Sequence, residues 1–339
     1  MKVARLHGPH DLRLHDEPDP IPGPDQELIR ITTVGLCGSD RHWFMDGSIG
    51  GATVDRPLVL GHEIAGVIDA GPRRGERVAI EPADACETCD VCRSGRSNLC
   101  ETTQFAGHGT VDGGLRTLMA WPSRLLTPIP DSIEDPEAAL LEPLGVALHA
   151  WDLGKVRPGM AVAVFGCGPI GLLLIRVLRA RECGLIVAVE PLAHRRAAAL
   201  VAGATVALEP GGGGAPPVDV AFELSGEDEA LAAAIDTIRP GGRVVLVGIP
   251  SPDRTTFPAS AARRKGLTLL LARRMAATAL GRATELVAAG TVSLSGIVSE
   301  RHPLDDVEAA FAALVERRGT KIVIALVVPE RRDLTCEIV

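Results

Sequence analysis

The chain has 339 residues, enough for roughly two domains with full hydrophobic cores. Its formal net charge is −8, from 43 Asp and Glu against 35 Lys and Arg, and no long basic run interrupts it. Nucleic acid and anionic membrane surfaces are therefore excluded as expected partners. Residues Met1 to Arg5 lack the apolar segment of a secretory signal, so a cytoplasmic location is expected. The uncharged apolar stretch 158–175 has the length of a membrane span, but Pro158, Gly159, Gly166, Gly168, Pro169 and Gly171 break it into strand, turn and helix. The last four residues, Cys336 to Val339, match a prenylation box in position only, because Glu337 spoils the aliphatic pattern.

In chain order, the first half is rich in Pro, Gly and short β-type runs, at 27–33, 63–68 and 77–80, with little helical periodicity. A mostly β domain is expected there. It carries two segments with candidate metal ligands, Gly35-Leu-Cys37-Gly-Ser39-Asp40-Arg-His42 and Gly61-His62-Glu63. A lone Cys or His is more often structural than ligating, so neither segment is decisive alone. Next comes Cys86, Cys89, Cys92 and Cys100, spaced C-x2-C-x2-C-x7-C. Four thiolates on so short a loop close a tetrahedral zinc cage with no open position. Disulfides are the alternative, but a cluster this tight in an intracellular chain points to metal. An Ala/Leu-rich helix is expected over 137–153.

From residue 160 strands and helices alternate. Strands are expected at 161–165, 185–190, 205–208, 218–223, 243–248 and 267–271, with helices at 170–181, 193–202, 230–238 and 278–289. The pattern predicts βαβ units and a doubly wound parallel sheet, so the fold class is α/β. Gly166-Cys-Gly168-Pro169-Ile170-Gly171 follows an apolar strand and opens an apolar helix, the context a dinucleotide fingerprint requires. Gly166 permits the tight turn, Gly168 the close approach of a pyrophosphate, and Gly171 tight helix–strand packing. Glu190 ends the next strand, where a carboxylate accepts the ribose hydroxyls and repels a 2′-phosphate, which favours NAD over NADP. Arg195 and Arg196 offer the opposing possibility of a 2′-phosphate site, and Arg195 alternatively steadies the adenosine ribose or pyrophosphate. Ser225 and the pair Gly248-Ile249 fall at the carboxyl ends of later strands, where ligands bind. The Gly211–Gly214 run reads as a surface connection. After 291 β character returns, and the apolar run 321–328 is long enough to pack back on the first domain. The expected domains are 1–150, 151–288 and 289–339, the last completing the first.

Cys37-Gly-Ser-Asp, Gly61-His-Glu, Gly75-Glu-Arg-Val, the four-cysteine lobe, Glu142-Pro-Leu-Gly and the glycine fingerprint occur in an order that resembles the zinc-dependent medium-chain alcohol dehydrogenases. The resemblance spans nearly the whole chain and is strongest to the polyol (sorbitol-type) and threonine dehydrogenase branch, which supplies a Glu where the simple-alcohol branch has a Cys. It implies a GroES-like catalytic domain beside a Rossmann domain, NAD as cofactor, and two Zn²⁺ per chain. Cys37 and His62 would be catalytic zinc ligands, Glu142 a third ligand or a water-bridged neighbour, and Glu63 an exchangeable fourth. Asp40 would hydrogen-bond His62 and so support it. Ser39 would take the alcohol proton and His42 pass it outward. Trp43, Phe44, Phe105 and His108 would wall the pocket, and Arg273 would contact substrate hydroxyls. The implied substrate is a small-molecule secondary alcohol: a polyol, sugar alcohol, cyclitol or amino alcohol. A threonine-type 3-dehydrogenase is the alternative enzyme, and a catalytically silent nucleotide-binding protein the alternative of another class. Relatives form homodimers or homotetramers through the last Rossmann strand, here 267–271. Two departures stand out. The stretch 67–75 is shorter than in typical members, and 105–115 keeps an Asp112-Gly113-Gly114 turn without the aromatic residue that usually follows; the chain has no Tyr.

Overall fold

The computed structural model describes residues 1–251 and 253–326. Two sheets dominate these residues. The first is mixed and runs Leu126–Pro128, Arg77–Ile80, Glu63–Ile68, Gln26–Gly35, Lys321–Ala325, Val298–Pro303, with Leu118–Pro122 also pairing with Gln26–Gly35. The strand Lys321–Ala325 aligns antiparallel with the first domain's central strand, placing Val323 opposite Gly35 and Ile324 opposite Val34. The C-terminal segment thus completes the N-terminal sheet, as the apolar run at 321–328 suggested; Val327 and Val328 lie outside the described residues, as do Cys336 to Val339. Ile29, Ile31, Val34, Ile64, Val78 and Ile80 fill one core with Phe311, Ile322 and Ile324 from the far end of the chain.

The second sheet is parallel throughout, in the order Val206–Leu208, Leu185–Val189, Ala161–Phe165, Val218–Glu223, Ile238–Leu246, Thr268–Leu271. By chain order this is 3-2-1-4-5-6, the doubly wound arrangement whose ligand crevice opens where the order reverses, at the ends of Ala161–Phe165 and Val218–Glu223. All five residues of Ala161–Phe165 are buried, as a strand covered on both faces requires. Helices Leu141–Gly154, Pro169–Ala180 and Ala279–Ala288 pack on one face, and Asp228–Thr237 and Ala259–Lys265 on the other.

Most expected elements are present within a residue or two. The strand expected at 243–248 spans Ile238–Leu246, and the helix expected at 137–153 is split into Asp135–Ala138 and Leu141–Gly154. Four described helices were not expected from the sequence: Gly38–Asp46, the short Asp90–Arg93 in the cysteine lobe, Ala259–Lys265 and Val307–Val315. Gly38–Asp46 buries only Asp40 and Trp43, so it has no apolar stripe. Val307–Val315 lies in the region read as β-rich, where it forms the crossover between the parallel strands Val298–Pro303 and Lys321–Ala325. Among the described residues no helix is long and apolar enough to cross a membrane.

Candidate active site

Cys37 stands at the N-cap of helix Gly38–Asp46. Asp40, fully buried, ties this turn to the next ligand segment. One carboxylate oxygen accepts the Cys37 N–H at 2.8 Å, and the other accepts the Gly61 N–H at 3.3 Å and lies 3.8 Å from His62 Nδ1. The separation from His62 is that of an ion pair rather than a hydrogen bond. His62 precedes strand Glu63–Ile68, which pairs antiparallel with Gln26–Gly35 so that Glu63 faces Gly35. A Cβ at position 35 would collide with the Glu63 carboxylate, so only glycine leaves room for it. Cys37 Sγ, a His62 ring nitrogen and a Glu63 carboxylate oxygen converge within 4.8 Å of one another.

A thiolate, an imidazole and a carboxylate are a donor set that zinc accepts. The electrostatics fit a cation as well. Burial opposes a charge on His62, yet Asp40, Cys37 and Glu142 outweigh it and push the imidazole up to about 10. Glu142, buried in the first turn of Leu141–Gly154, is raised to about 7, chiefly by burial against the pull of His62. It feels this cluster electrostatically but is not among the three converged donors. The structure therefore assembles Cys37, His62 and Glu63 directly and sets Glu142 beside them.

Lys321 was not anticipated. It is 2% exposed, pairs with Glu63 Oε2 and donates to Leu36 O at 2.9 Å. Buried lysines are rare, and this one sits in an otherwise apolar run, which was the available signal. Removing one partner of a buried ion pair strands the other charge. Lys321→Met should lower the unfolding free energy by about 3 kcal/mol, and the pair Lys321→Met with Glu63→Gln should recover part of it, by urea denaturation. A loss below about 1 kcal/mol would show that the pair does not hold the site.

Four further cysteines form the second cluster. The sulfurs of Cys86, Cys89, Cys92 and Cys100 lie within 4.8 Å of one another and are not joined by disulfides. Backbone N–H groups of Thr88 and Cys89 draw the Cys86 thiol down to about 5, whereas burial and the neighbouring sulfurs push Cys92 up to about 12. Four sulfurs, with no carboxylate or imidazole among the converged donors, suit a closed zinc cage.

A cavity of about 1220 Å³ joins the ligand cluster to the parallel sheet. Cys37, Ser39, His42 and Glu63 line one end, and Gly166, Gly168, Pro169, Ile170, Gly171, Glu190, Arg195, Ser225, Gly248 and Ile249 line the rest. Gly166 has φ 93, the left-handed region, and a Cβ on Gly171 would strike the Gly166 carbonyl oxygen. The loop is thus a glycine cradle that a side chain would fill. Pro169 opens the helix behind it. The Glu190 carboxylate accepts the N–H of Cys167 at 2.8 Å and of Leu192 at 3.0 Å, which fixes it beside the loop. Arg196 is occupied with the carbonyls of Glu190 and Pro191, whereas Arg195 donates to Gly319 O at 3.2 Å and borders the cavity. Glu223, also unanticipated, accepts from the Ser225 N–H at 2.6 Å and the Gly226 N–H at 2.9 Å and so shapes the opposite rim. The Gly211–Gly214 run is exposed, as a surface connection would be, but it also borders this cavity.

Around the ligand cluster the aromatic side chains divide. Phe105 lies against His62, ring centroids 5.5 Å apart, and His108 packs edge-on to Trp43. Phe44 turns away, onto Phe311 and His10. It is Arg274, one residue beyond the expected Arg273, that stands over the Phe105 ring, with Cζ 4.4 Å from its centroid. Arg274 has φ 56, and this left-handed turn redirects its side chain while Arg273 remains exposed. Glu81 was missed altogether. Burial raises its carboxyl to about 8, Glu142 adds to the rise, and Arg274 opposes it.

A doubly wound nucleotide-type sheet, a β domain that carries a Cys/His/Glu cluster at the shared cavity, and a separate four-cysteine lobe together define a zinc-dependent dehydrogenase. The chain belongs to the medium-chain alcohol dehydrogenase family: the model for the alcohol dehydrogenase GroES-like domain matches residues 23–131, and that for zinc-binding dehydrogenases matches 169–289. It is 35% identical to a "Probable D-xylulose reductase A" of Aspergillus fumigatus, over 94% of this chain and 95% of the relative. It is 32% identical to the sorbitol dehydrogenase of Bacillus subtilis, over 91% of this chain and 92% of that one. The crystal structure of 2R,3R-butanediol dehydrogenase from Bacillus subtilis superposes with a TM-score of 0.85 at 29% identity, covering 96% of this chain and 99% of that chain.

Proposed function

We propose that this enzyme oxidises a secondary alcohol of the polyol class to the ketone with transfer of hydride to NAD. The observation that carries the reading is the convergence of Cys37, His62 and Glu63 within 4.8 Å at one end of the cavity whose other end is the glycine cradle. Cys37, His62 and Glu63 would hold the catalytic zinc with Glu142 beside them, and Cys86, Cys89, Cys92 and Cys100 the structural one. Bound zinc would supply a Lewis acid that acidifies an alcohol hydroxyl, and the nicotinamide a hydride acceptor. The chain's own part is positional and protonic. Ser39 accepts the hydroxyl proton, and His42, held by Asp46 at 3.2 Å, passes it toward solvent. The Gly166–Gly171 loop and the N-terminus of the following helix receive the pyrophosphate. Arg274, over the Phe105 ring, reads a neighbouring substrate hydroxyl.

The same cation would suit a carboxylate, which keeps a threonine-type substrate as the second reading. Cofactor reduction across a panel of polyols, amino alcohols and monohydric alcohols separates the two, and a preference for monohydric alcohols would overturn both. Glu190, 4% exposed and fixed by two backbone N–H groups, underlies the choice of NAD. Glu190→Ala should weaken NAD roughly tenfold while NADP improves or is unchanged. An unaltered NAD/NADP ratio, by titration of cofactor fluorescence, would remove this argument.

We read residues 1–150 and 289–339 as one catalytic domain around a nucleotide domain at 151–288. The edge strand Thr268–Leu271, with Leu271 80% exposed, is the surface proposed to join subunits into a homodimer or homotetramer. The seven cysteines among the described residues are all free, which favours the reducing cytoplasm.

A further inference from the structure

Asn98 is buried, at 5% exposed, inside the four-cysteine lobe, in the short turn Ser97–Leu99 that leads to Cys100. Its side chain points out of the lobe. The Nδ2 amide donates to the Arg273 carbonyl at 2.9 Å and lies 3.5 Å from His149 Nε2. His149 belongs to helix Leu141–Gly154, whose first turn carries Glu142, and burial holds its ring below the ordinary histidine range, so a neutral nitrogen faces the amide.

The Arg273 carbonyl belongs to the peptide plane that ends at the Arg274 nitrogen. Arg274 then turns by φ 56, a left-handed setting that costs a non-glycine residue free energy unless its surroundings hold it. A hydrogen bond on that carbonyl fixes the plane, and with it the axis about which Arg274 rotates. The result is the guanidinium 4.4 Å above Phe105, with Nη1 buried and without a partner among the described residues. Phe105 in turn lies against the ligand His62.

We infer that Asn98 is a positioning residue for substrate recognition: it clamps the Arg273–Arg274 peptide from within the cysteine lobe and so sets Arg274 over Phe105 to meet a substrate hydroxyl. This rests on the reading of Arg274 given above. The lobe then contributes to substrate affinity as well as to the fold.

A double-mutant cycle in the zinc-loaded enzyme tests it, with the best polyol of the panel as substrate. Asn98→Asp keeps the side-chain shape, removes the donor and turns an oxygen toward the carbonyl. It should raise KM for the polyol roughly tenfold, with kcat, zinc content and NAD affinity little changed, and Asn98→Ser, which keeps a donor, should lie between. Arg274→Ala should raise KM at least as far, and the combined variant should be no worse than Arg274→Ala alone. Additive effects, or loss of zinc with Asn98→Asp, would overturn the inference by making Asn98 a residue of the lobe alone. If Arg274→Ala raises KM and neither Asn98 variant does, Arg274 stands and the positioning role falls. If Arg274→Ala leaves KM unchanged, the reading of Arg274 fails and takes the positioning role with it.

Discussion

Cys37→Ser is expected to lower kcat/KM by a factor of about 10³ or more, equivalent to about 4 kcal/mol of transition-state stabilisation, while the fold persists. The reason lies in the two roles that position 37 combines. Its backbone N–H donates to Asp40 at 2.8 Å, and its side chain stands at the N-cap of Gly38–Asp46. Serine satisfies both roles, and is among the favoured N-cap residues. What it cannot supply is the soft sulfur donor that converges with His62 and Glu63. Zinc per chain should therefore fall from about two to about one, the remaining ion being held by the four-cysteine lobe. Metal analysis, circular dichroism and initial rates on one preparation check this together. A variant that unfolds would make Cys37 structural, and one that keeps both ions at full activity would remove it from the catalytic set.

Gly171→Ala should weaken NAD about 100-fold, or about 2.7 kcal/mol, by blocking the cradle rather than by removing a contact. Gly171 sits in the first turn of Pro169–Ala180, with ordinary helical backbone, so conformation does not demand glycine there. Space does. A Cβ would press on the Gly166 carbonyl oxygen, and Gly166 itself has only backbone of Leu224 and Ser225 behind it, at 3.1 to 3.4 Å from its own Cβ position. The loop has nowhere to retreat except into the cavity proposed to receive the pyrophosphate. Gly159→Ala is the matched control. That glycine is followed by nothing within 4 Å of its Cβ position and lies away from the cavity, so it should leave cofactor affinity unchanged although φ 79 makes the backbone strained. Isothermal titration with NAD distinguishes the two, and equal affinity of wild type and Gly171→Ala would show that the cradle does not hold the cofactor.

What could be read without coordinates was what the chain keeps local. The Gly166–Gly171 fingerprint, the four cysteines and the Cys37 and His62-Glu63 segments are each short, and the residue types in each limit the chemistry on their own. The parallel strands were legible because burial on both faces demands continuous apolar runs such as Ala161–Phe165. Helix Gly38–Asp46 was not legible because it buries so little, and its start is set by an acidic side chain reaching back to Cys37.

The pairings that tune the site were decided by tertiary structure. Lys321 meets Glu63 because the final strand returns to pair with Gln26–Gly35, and no local pattern around either residue announces the other. Arg274 rather than Arg273 reaches Phe105 because a left-handed turn, held by Asn98 from 175 residues away, reverses the side-chain direction. Motif spacing determined which donors and which phosphate loop the protein owns, since those depend on neighbours along the chain. Which charges stand unpaired around the Cys37, His62 and Glu63 cluster depends on neighbours in space, because only folding removes the water that would otherwise satisfy them.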